Sequence, residues 1–535
     1  MRPKKVLSLL LCLFMAASSV IVLSACDLGE WIGGVREREQ VHYVPGVLDP
    51  VRQYNIDFMG WGEIGGTEHT IFSNLIEDFH REYPNVRVSF RVSNPGAPFN
   101  TALRAAAGGG GTMPDVFFMP LSEFRFWAGT GHLLNIAPAF AYGQAAHGEL
   151  DDIWPHALDL YRFCRECRQL GAYTRDELGV YRCRHGRQML MLGLPKDLGP
   201  FTLVFNRTLL MQQYNANSSL FAPGELNNLL NPNNPMNKDQ FVSLLTRLLA
   251  TNRRDGLYGI THYDLEAAIN SNNASFFCDE VAHQRVTEQN FIDALQWAAD
   301  LYLAGGPGNR ARLKPAPGQA GDGFQMFVRG DAIFSFMGPW DMAQFWQNLG
   351  ADADWDILPV PFGPGADREF GTADDGISTA RVGSMAYSIY EGTMARGNAT
   401  AAMTFIRFMS SNVIAQRRFF QQGQQVPNHM EMARGEFIYP GPRDPQGNPR
   451  PPSNRAVFVD IMDGVRDVND RISGRPYATY FTLEAAWFQT FNDALVPLWN
   501  GTLTAETLMR GGAGVPTNQH QGALLQQALE DMNRL

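Results

Sequence analysis

The chain has 535 residues, 45% of them hydrophobic and 18% charged, and a formal net charge of -10. That composition is globular and not disordered, and the length allows roughly two to four domain-sized units. The acidic balance excludes a nonspecific nucleic-acid or anionic-membrane surface as the main partner.

In chain order, the first element is a leader. Arg2, Lys4 and Lys5 precede an apolar stretch from Val6 to Ala25, which closes on Leu23-Ser24-Ala25-Cys26. A basic start, an apolar middle and small residues before a cut site mark a secretory signal. The ending resembles the bacterial lipobox, whose cysteine is lipidated and becomes the first residue of the mature protein. This implies a signal peptide over 1–25 and a lipid on Cys26. It places the chain at the outer face of the cytoplasmic membrane, with the lipid as its only membrane contact. The competing reading is an uncleaved anchor, since the stretch is roughly long enough to span. No later apolar run has that length, so the mature part is expected to be soluble. Residues 26–51 carry Gly33, Gly34, Pro45, Gly46 and Pro50 and read as a tether.

Tyr54 to Met59 alternates as a strand and stops at Gly60-Trp61-Gly62. His69 to Tyr83 has helical spacing, with Ile71, Leu75, Ile76 and Phe79 on one face and Pro84 as its stop. Val86 to Val92 is again a strand. Asn100 to Ala107 is helical and runs into Gly108 to Gly111. Asp115 to Met119 and Phe201 to Phe205 are short strands. Lys238 to Thr251 and Asn290 to Ala304 are amphipathic helices. Ala332 to Met337 is a strand that meets Gly338-Pro339-Trp340. Asn398 to Met409 and Leu483 to Leu498 are helical, the latter with Trp487, Phe491, Ala494 and Leu495 on one face. Tyr439 to Ser453 is a loop rich in Pro and Gly. The alternation predicts an α/β chain with mostly parallel sheet and helices on its faces.

Several segments together resemble the extracellular solute-binding proteins of ABC importers, of the family 1 type that binds oligosaccharides. Phe79 to Val88 is similar to the family's first helix, its Tyr-Pro-Asn turn and its second strand. Gly111-Thr112-Met113-Pro114-Asp115-Val116 resembles its Gly-x-x-Pro-Asp-Val step. Gly193-Leu194-Pro195, followed by Leu203 to Arg207, is similar to its first lobe crossing. Gly330-Asp331-Ala332-Ile333, leading to Gly338-Pro339-Trp340, resembles its Gly-x-Ala-Met and Gly-Pro-Trp signature. Gly383 to Ile389 resembles the strand returning to the first lobe.

The resemblance implies a two-lobe periplasmic-binding-protein-like fold of type II, with crossing hinge strands. Lobe 1 is then 52–195 plus 380–430, and lobe 2 is 196–375 plus 431–535. It implies a monomer that captures a carbohydrate, closes on it, and delivers it to a membrane permease pair driven by a separate ATPase.

A sugar offers an apolar face and a ring of hydroxyls, so its site needs aromatic platforms and charged or amide partners. The 10 Trp residues suit such a site. Trp61 follows a strand's carboxyl end, where open α/β sheets place ligands. Trp340 and Trp487 are the positions at which the resemblance implies aromatic contact. Glu63, Glu123, Asp197, Asp341 and Arg381 are candidate hydroxyl partners. The competing readings are core or lobe packing for each Trp and a solvated surface role for each carboxylate.

Two features depart from the family. Cys164, Cys167, Cys183 and Cys278 remain once Cys12 leaves with the signal and Cys26 takes lipid. Four cysteines in an oxidising compartment favour two disulfides. Cys164-x2-Cys167 is also a zinc half-site, with Cys183 and His185 as an irregular second half and Cys278 as a further thiolate. Asp367, Glu369, Thr372, Asp374 and Asp375 lie around glycines and resemble a calcium loop, although a solvated acidic loop fits equally well. No cofactor is required by the function the resemblance implies.

The chain lacks Gly-x-Ser-x-Gly, His-Glu-x-x-His and a P-loop, which argues against an enzyme. Two rivals stay open: a binder of a peptide or polyamine, and a secreted glycoside hydrolase, which would need two carboxylates across a cleft.

Overall fold

A computed structural model describes residues 31–534, apart from 33–34, 37, 95–96, 141–149, 168, 171–173, 176–179, 253–255, 278–283, 304–312, 316–321, 351–352, 374, 465–471, 477–483 and 513–519. Cys26 and the leader lie outside the described residues, as do Cys278 and Asp374.

Two β-sheets organise the chain. The strands, in order, are β1 (Tyr54–Trp61), β2 (Val86–Ser93), β3 (Val116–Pro120), β4 (Leu194–Pro200), β5 (Thr202–Asn206), β6 (Tyr258–Ile260), β7 (Ala332–Met337), β8 (Trp355–Leu358), β9 (Ser378–Ile389) and β10 (Ile472–Pro476). The first sheet runs β4-β9-β3-β1-β2, with β10 on the other end of β9. The second runs β6-β7-β5-β8.

The expected mostly parallel sheet is corrected to mixed sheets. β1 is parallel to β2 and β3, but β9 is antiparallel to both β3 and β4. In the second sheet β5 is antiparallel to β7 and β8. The reason is the crossing: β4 leaves the first sheet and β5, one residue later, enters the second, while β9 returns beside β4 in the opposite sense.

Helices cover both sheets. Those that position the cleft and the cores include α1 (Thr67–Glu82), α2 (Leu121–Thr130), α3 (Lys238–Leu248), α4 (Gln289–Leu303), α5 (Asp341–Asn348), α6 (Ala399–Ser411), α7 (Val413–Gln421), α8 (Glu484–Ala494) and α9 (Gln521–Arg534). α1 buries Ile71, Phe72, Leu75, Ile76 and Phe79 on one face, as its spacing predicts. α3 starts with a reciprocal cap: the Asn237 side chain accepts the Gln240 N–H while the Gln240 side chain accepts the Asn237 N–H. Such a cap satisfies two donors that a helix start otherwise leaves open. None of the helices among the described residues is long and apolar enough to cross a membrane.

The apolar residues gather into three main clusters. One packs Phe58, Phe72, Phe118 and Phe405 beneath the first sheet. A second packs Phe205, Phe241, Phe334 and Trp355 around the second sheet. A third joins α4, α8 and α9 through Phe291, Trp487, Phe491 and Leu525 and takes in Phe276 and Phe277 from the loop before α4.

The tether reading of 26–51 is corrected over part of its length. The Arg38 N–H donates to the Thr130 carbonyl, and Tyr43 and Asn135 are likewise bonded through their main chains. Tyr43 is buried in the first core. Gly131 is in the left-handed region at φ +77, and a Cβ there would strike the Arg38 carbonyl. Glycine therefore permits both the turn and the close approach. Residues 38–43 thus belong to the body of the first lobe.

Candidate functional site

The two sheets face each other across a cleft of about 490 Å³. Trp61, at the end of β1, and the start of α1 line one side. Trp340 and Asp341, at the start of α5, line the other. The crossing strands β4 and β9 form the floor with Lys196, Asp197, Arg381 and Ser384.

The floor carries a buried charge network. β4 slips register against β9 between Pro195 and Asp197. Without such a bulge, consecutive side chains point to opposite faces. Here Lys196 and Asp197 meet, Nζ to Oδ2 at 2.6 Å. Glu68, in the first turn of α1, lies 3.6 Å from the same ammonium. The other Asp197 oxygen accepts the Met385 N–H at 3.1 Å. Gln424 donates to Glu68.

Ionisation follows from these contacts. Burial alone would strip Lys196 of its proton, but Asp197 and Glu68 outweigh it, so its pKa is raised. Burial also raises the pKa of Glu68, with Lys196 pulling the other way. Asp341 has no such cation. Burial pushes its pKa up to about 7, against a single N–H donated by Gly338.

Trp340 is seated by two glycines. A Cβ on Gly199 or Gly338 would run into its indole. The ring also meets Phe201 edge-on at 5.1 Å. Arg381 lies over the other aromatic partner, 3.9 Å from the Phe201 centroid, and pairs with Asp264 at 3.1 Å.

Trp61, Asp197, Trp340, Asp341 and Arg381 therefore come together. Glu68, Lys196, Ser384 and Gln424 join them without having been anticipated. The Lys196-Asp197 dipeptide was itself a signal, because charges inside an otherwise apolar strand need a buried partner.

Three candidates do not reach the cleft. Glu63 is exposed in the loop after β1 and outside the lining. Glu123 is buried on α2 and pairs with Arg104 at 2.6 Å. Trp487 is corrected to a core residue: it is 1% exposed, stacks on Phe491 at 5.4 Å, and donates its Nε1 hydrogen to the Leu525 carbonyl. Its helical spacing served the third core.

The expected disulfides are absent from the described cysteines. Cys164, Cys167 and Cys183 are free thiols that converge on one point, all three sulfurs lying within 4.8 Å of one another. In the acidic loop, Asp367 accepts the Glu369 N–H and Asp375 accepts the Gly371 N–H, while Arg368 pairs with Asp293. Those carboxylates already cap the loop's own backbone. Among the described residues, the cysteines are the only group of three or more ligand side chains arranged to hold a metal ion.

Comparison with known proteins separates fold from sequence. No family model matches the chain, and no curated protein matches it. Solved structures do. An ABC substrate-binding protein from Listeria monocytogenes in complex with cycloalternan is similar over 90% of this chain and 98% of its own, with a TM-score of 0.62 at 12% identity. The fold is that of the solute-binding proteins. Maltose-bound MalE3 of T. maritima gives 0.59 at 14% identity over 89% and 99%. The GacH receptor of Streptomyces glaucescens, solved unliganded and with acarbose, gives 0.59 at 16% identity over 90% and 99%. The solute-binding-protein fold thus spans nearly the whole described chain.

Proposed function

We propose that this protein captures a carbohydrate between its lobes and delivers it to an ABC importer. It works outside the cytoplasmic membrane, held there by lipid on Cys26, and the chain itself hydrolyses nothing. The observation that carries this reading is the make-up of the cleft. It offers indoles from both lobes, Trp61 and Trp340, around a floor of charges that are already paired. Indole faces stack on apolar ring faces. The paired groups keep lone pairs and N–H donors for hydroxyls, and charge-assisted bonds of this kind persist after water is expelled.

Charge pairing also separates the sugar reading from its nearest rival. A polyamine or cationic peptide needs anionic groups in surplus. Lys196 engages Asp197 and Glu68, and Arg381 engages Asp264. The carboxylates beyond one per cation are disfavoured as anions, because burial raises the pKa of Glu68 and pushes that of Asp341 up to about 7. A neutral polyol fits a cleft of paired charges and a protonatable acid. The ligands held by the similar structures, cycloalternan, maltose and acarbose, support the same class.

Ligand bridging both lobes favours the closed arrangement, so closure is a shift of population. The test is intrinsic tryptophan fluorescence and calorimetry across a panel of neutral mono- and oligosaccharides. Saturable binding of at least one is expected. Silence across the panel with a response to a cationic solute overturns the sugar reading. Turnover of a glycan by the purified chain overturns the binding-protein reading.

A further inference from the structure

Between α2 and β4 the chain makes an excursion that the cleft does not use. Arg162–Cys164 pairs antiparallel with Gln169–Leu170 on one edge and with Leu190–Met191 on the other. The turn of the first hairpin carries Cys164 and Cys167. Opposite it, Tyr181–Arg182 leads into a second turn, closed by a bridge between Arg182 and Gln188. Cys183 opens that turn: its N–H donates to the Arg187 carbonyl at 2.8 Å, and its carbonyl accepts the Gly186 N–H at 2.9 Å. Gly186 takes a left-handed φ of +74, which the tight turn requires. Two hairpin tips thus aim three sulfurs at one point.

The sulfur spacing decides what that point is. A disulfide needs about 2.05 Å between sulfurs, whereas Cys167 and Cys183 are 3.5 Å apart. Three mutually adjacent thiols also leave one over from any single bond. A tetrahedral zinc ion with Zn–S bonds of about 2.3 Å sets its sulfurs about 3.8 Å apart. The 3.5 Å separation of Cys167 and Cys183 is close to that edge, and all three sulfurs lie within 4.8 Å of one another.

The surroundings suit thiolates. The main-chain N–H of Cys167 points at the Cys164 sulfur, and those of His185 and Arg187 at the Cys183 sulfur. Arg165, Arg182 and Arg184 lie next to these cysteines in sequence, and Arg187 pairs with Glu166, so the local chain carries a net positive charge that suits thiolates. The local apolar cluster holds little beyond the cysteines, Met189 and Tyr181. A module with so small a core needs a staple.

We propose that Cys164, Cys167 and Cys183 bind one zinc ion as thiolates, leaving its fourth position to a water molecule. Binding releases three protons from the thiols and involves no redox change. The ion locks the two hairpins together, and through them Tyr161, whose hydroxyl donates to Ser384 on the cleft floor at 3.0 Å. The proposal is independent of what the cleft binds.

The test is metal analysis of the full chain purified without chelator, together with the spectrum of the cobalt-substituted protein. About one zinc per chain is expected, with thiolate-to-cobalt and tetrahedral d–d bands. Cys164→Ser and Cys183→Ser should each lose both the metal and the bands. Cys167→Ser should weaken zinc at least about tenfold in chelator competition; unchanged affinity overturns Cys167 as a ligand. Should a cysteine variant fail to fold, removal of the metal from the native chain decides the matter. Zinc-free protein whose mass shows a disulfide among these cysteines, and which takes up no zinc after reduction, overturns the site.

Discussion

Two lysines are buried to the same degree, Lys196 at 1% exposure on the cleft floor and Lys238 at 2% in the second lobe, and their pKa values shift in opposite directions. Burial opposes the charge on both. At Lys196 the Asp197 and Glu68 carboxylates reverse the effect and raise the pKa. At Lys238 only Asp293 helps from a distance, and the pKa falls to about 7. The Lys238 ammonium donates to the Ala268 carbonyl at 2.7 Å and sits 5.0 Å from the Trp297 ring. Neutral dipoles and an aromatic face do not replace a carboxylate. The cleft keeps its charge because two elements, α1 and β4, each bring an anion to it; the core lysine serves packing.

The largest expected effect comes from removing the cleft cation. Lys196→Met leaves the buried Asp197 and the partly buried Glu68 beside each other without compensation. Breaking a buried pair this way costs about 3–5 kcal/mol, read as a lower midpoint in urea unfolding. A double variant, Lys196→Met with Glu68→Gln, should recover part of that loss, since one stranded charge is gone. Equal stability of Lys196→Met and wild type would end the contrast between the two lysines.

The same contrast between cleft and core holds for tryptophan. Trp340→Ala removes a platform seated by Gly199 and Gly338, and a central aromatic contact is worth about 2 kcal/mol, or about 30-fold in affinity. Trp487→Phe should leave ligand affinity unchanged and lower only stability, because its indole bonds Leu525 inside the third core. Titration calorimetry with whichever sugar binds the wild type separates them. A matching loss in both variants would place Trp487 within reach of the ligand after all.

That pair also shows how far the sequence could be read. Trp340 was legible through the resemblance of Gly338-Pro339-Trp340 to the family's signature, placed directly after a strand. Trp487 was not, because its helical spacing with Phe491 fits a core face as well as a platform, and only the packing of α8 on α4 and α9 decides. The strands β1, β2, β3, β5 and β7 and the helices α1, α3, α4, α6 and α8 were legible, since their apolar periods are local, whereas α2, α5, α7 and α9 and the short strands β6, β8 and β10 were not singled out. The mixed sense of the sheets was hidden, because it depends on how β4 and β9 cross between lobes. Glu68 was hidden for the same reason: it is one acidic residue at a helix start until β4 brings Lys196 to it. The cysteines were read as disulfides from their even number, whereas two hairpin tips bring three of them to one point.

The smallest effect tests the neutral end of the comparison. An unfolded lysine titrates near 10.4, and Lys238 in the fold near 7. Between those values the unfolded chain binds the extra proton, so wild-type stability gains a contribution that rises with pH, by up to about 1.4 kcal/mol per unit. Lys238→Met fills the space without a titrating group and should lack that contribution. The measurement is the unfolding free energy at pH 7.5 and 9 for both proteins, with the difference between their slopes assigned to this site. Parallel slopes would mean that Lys238 stays charged in the fold. The Trp297 face and the Ala268 carbonyl would then suffice where Lys196 has two carboxylates, and pairing could no longer explain why the cleft lysine is built as it is.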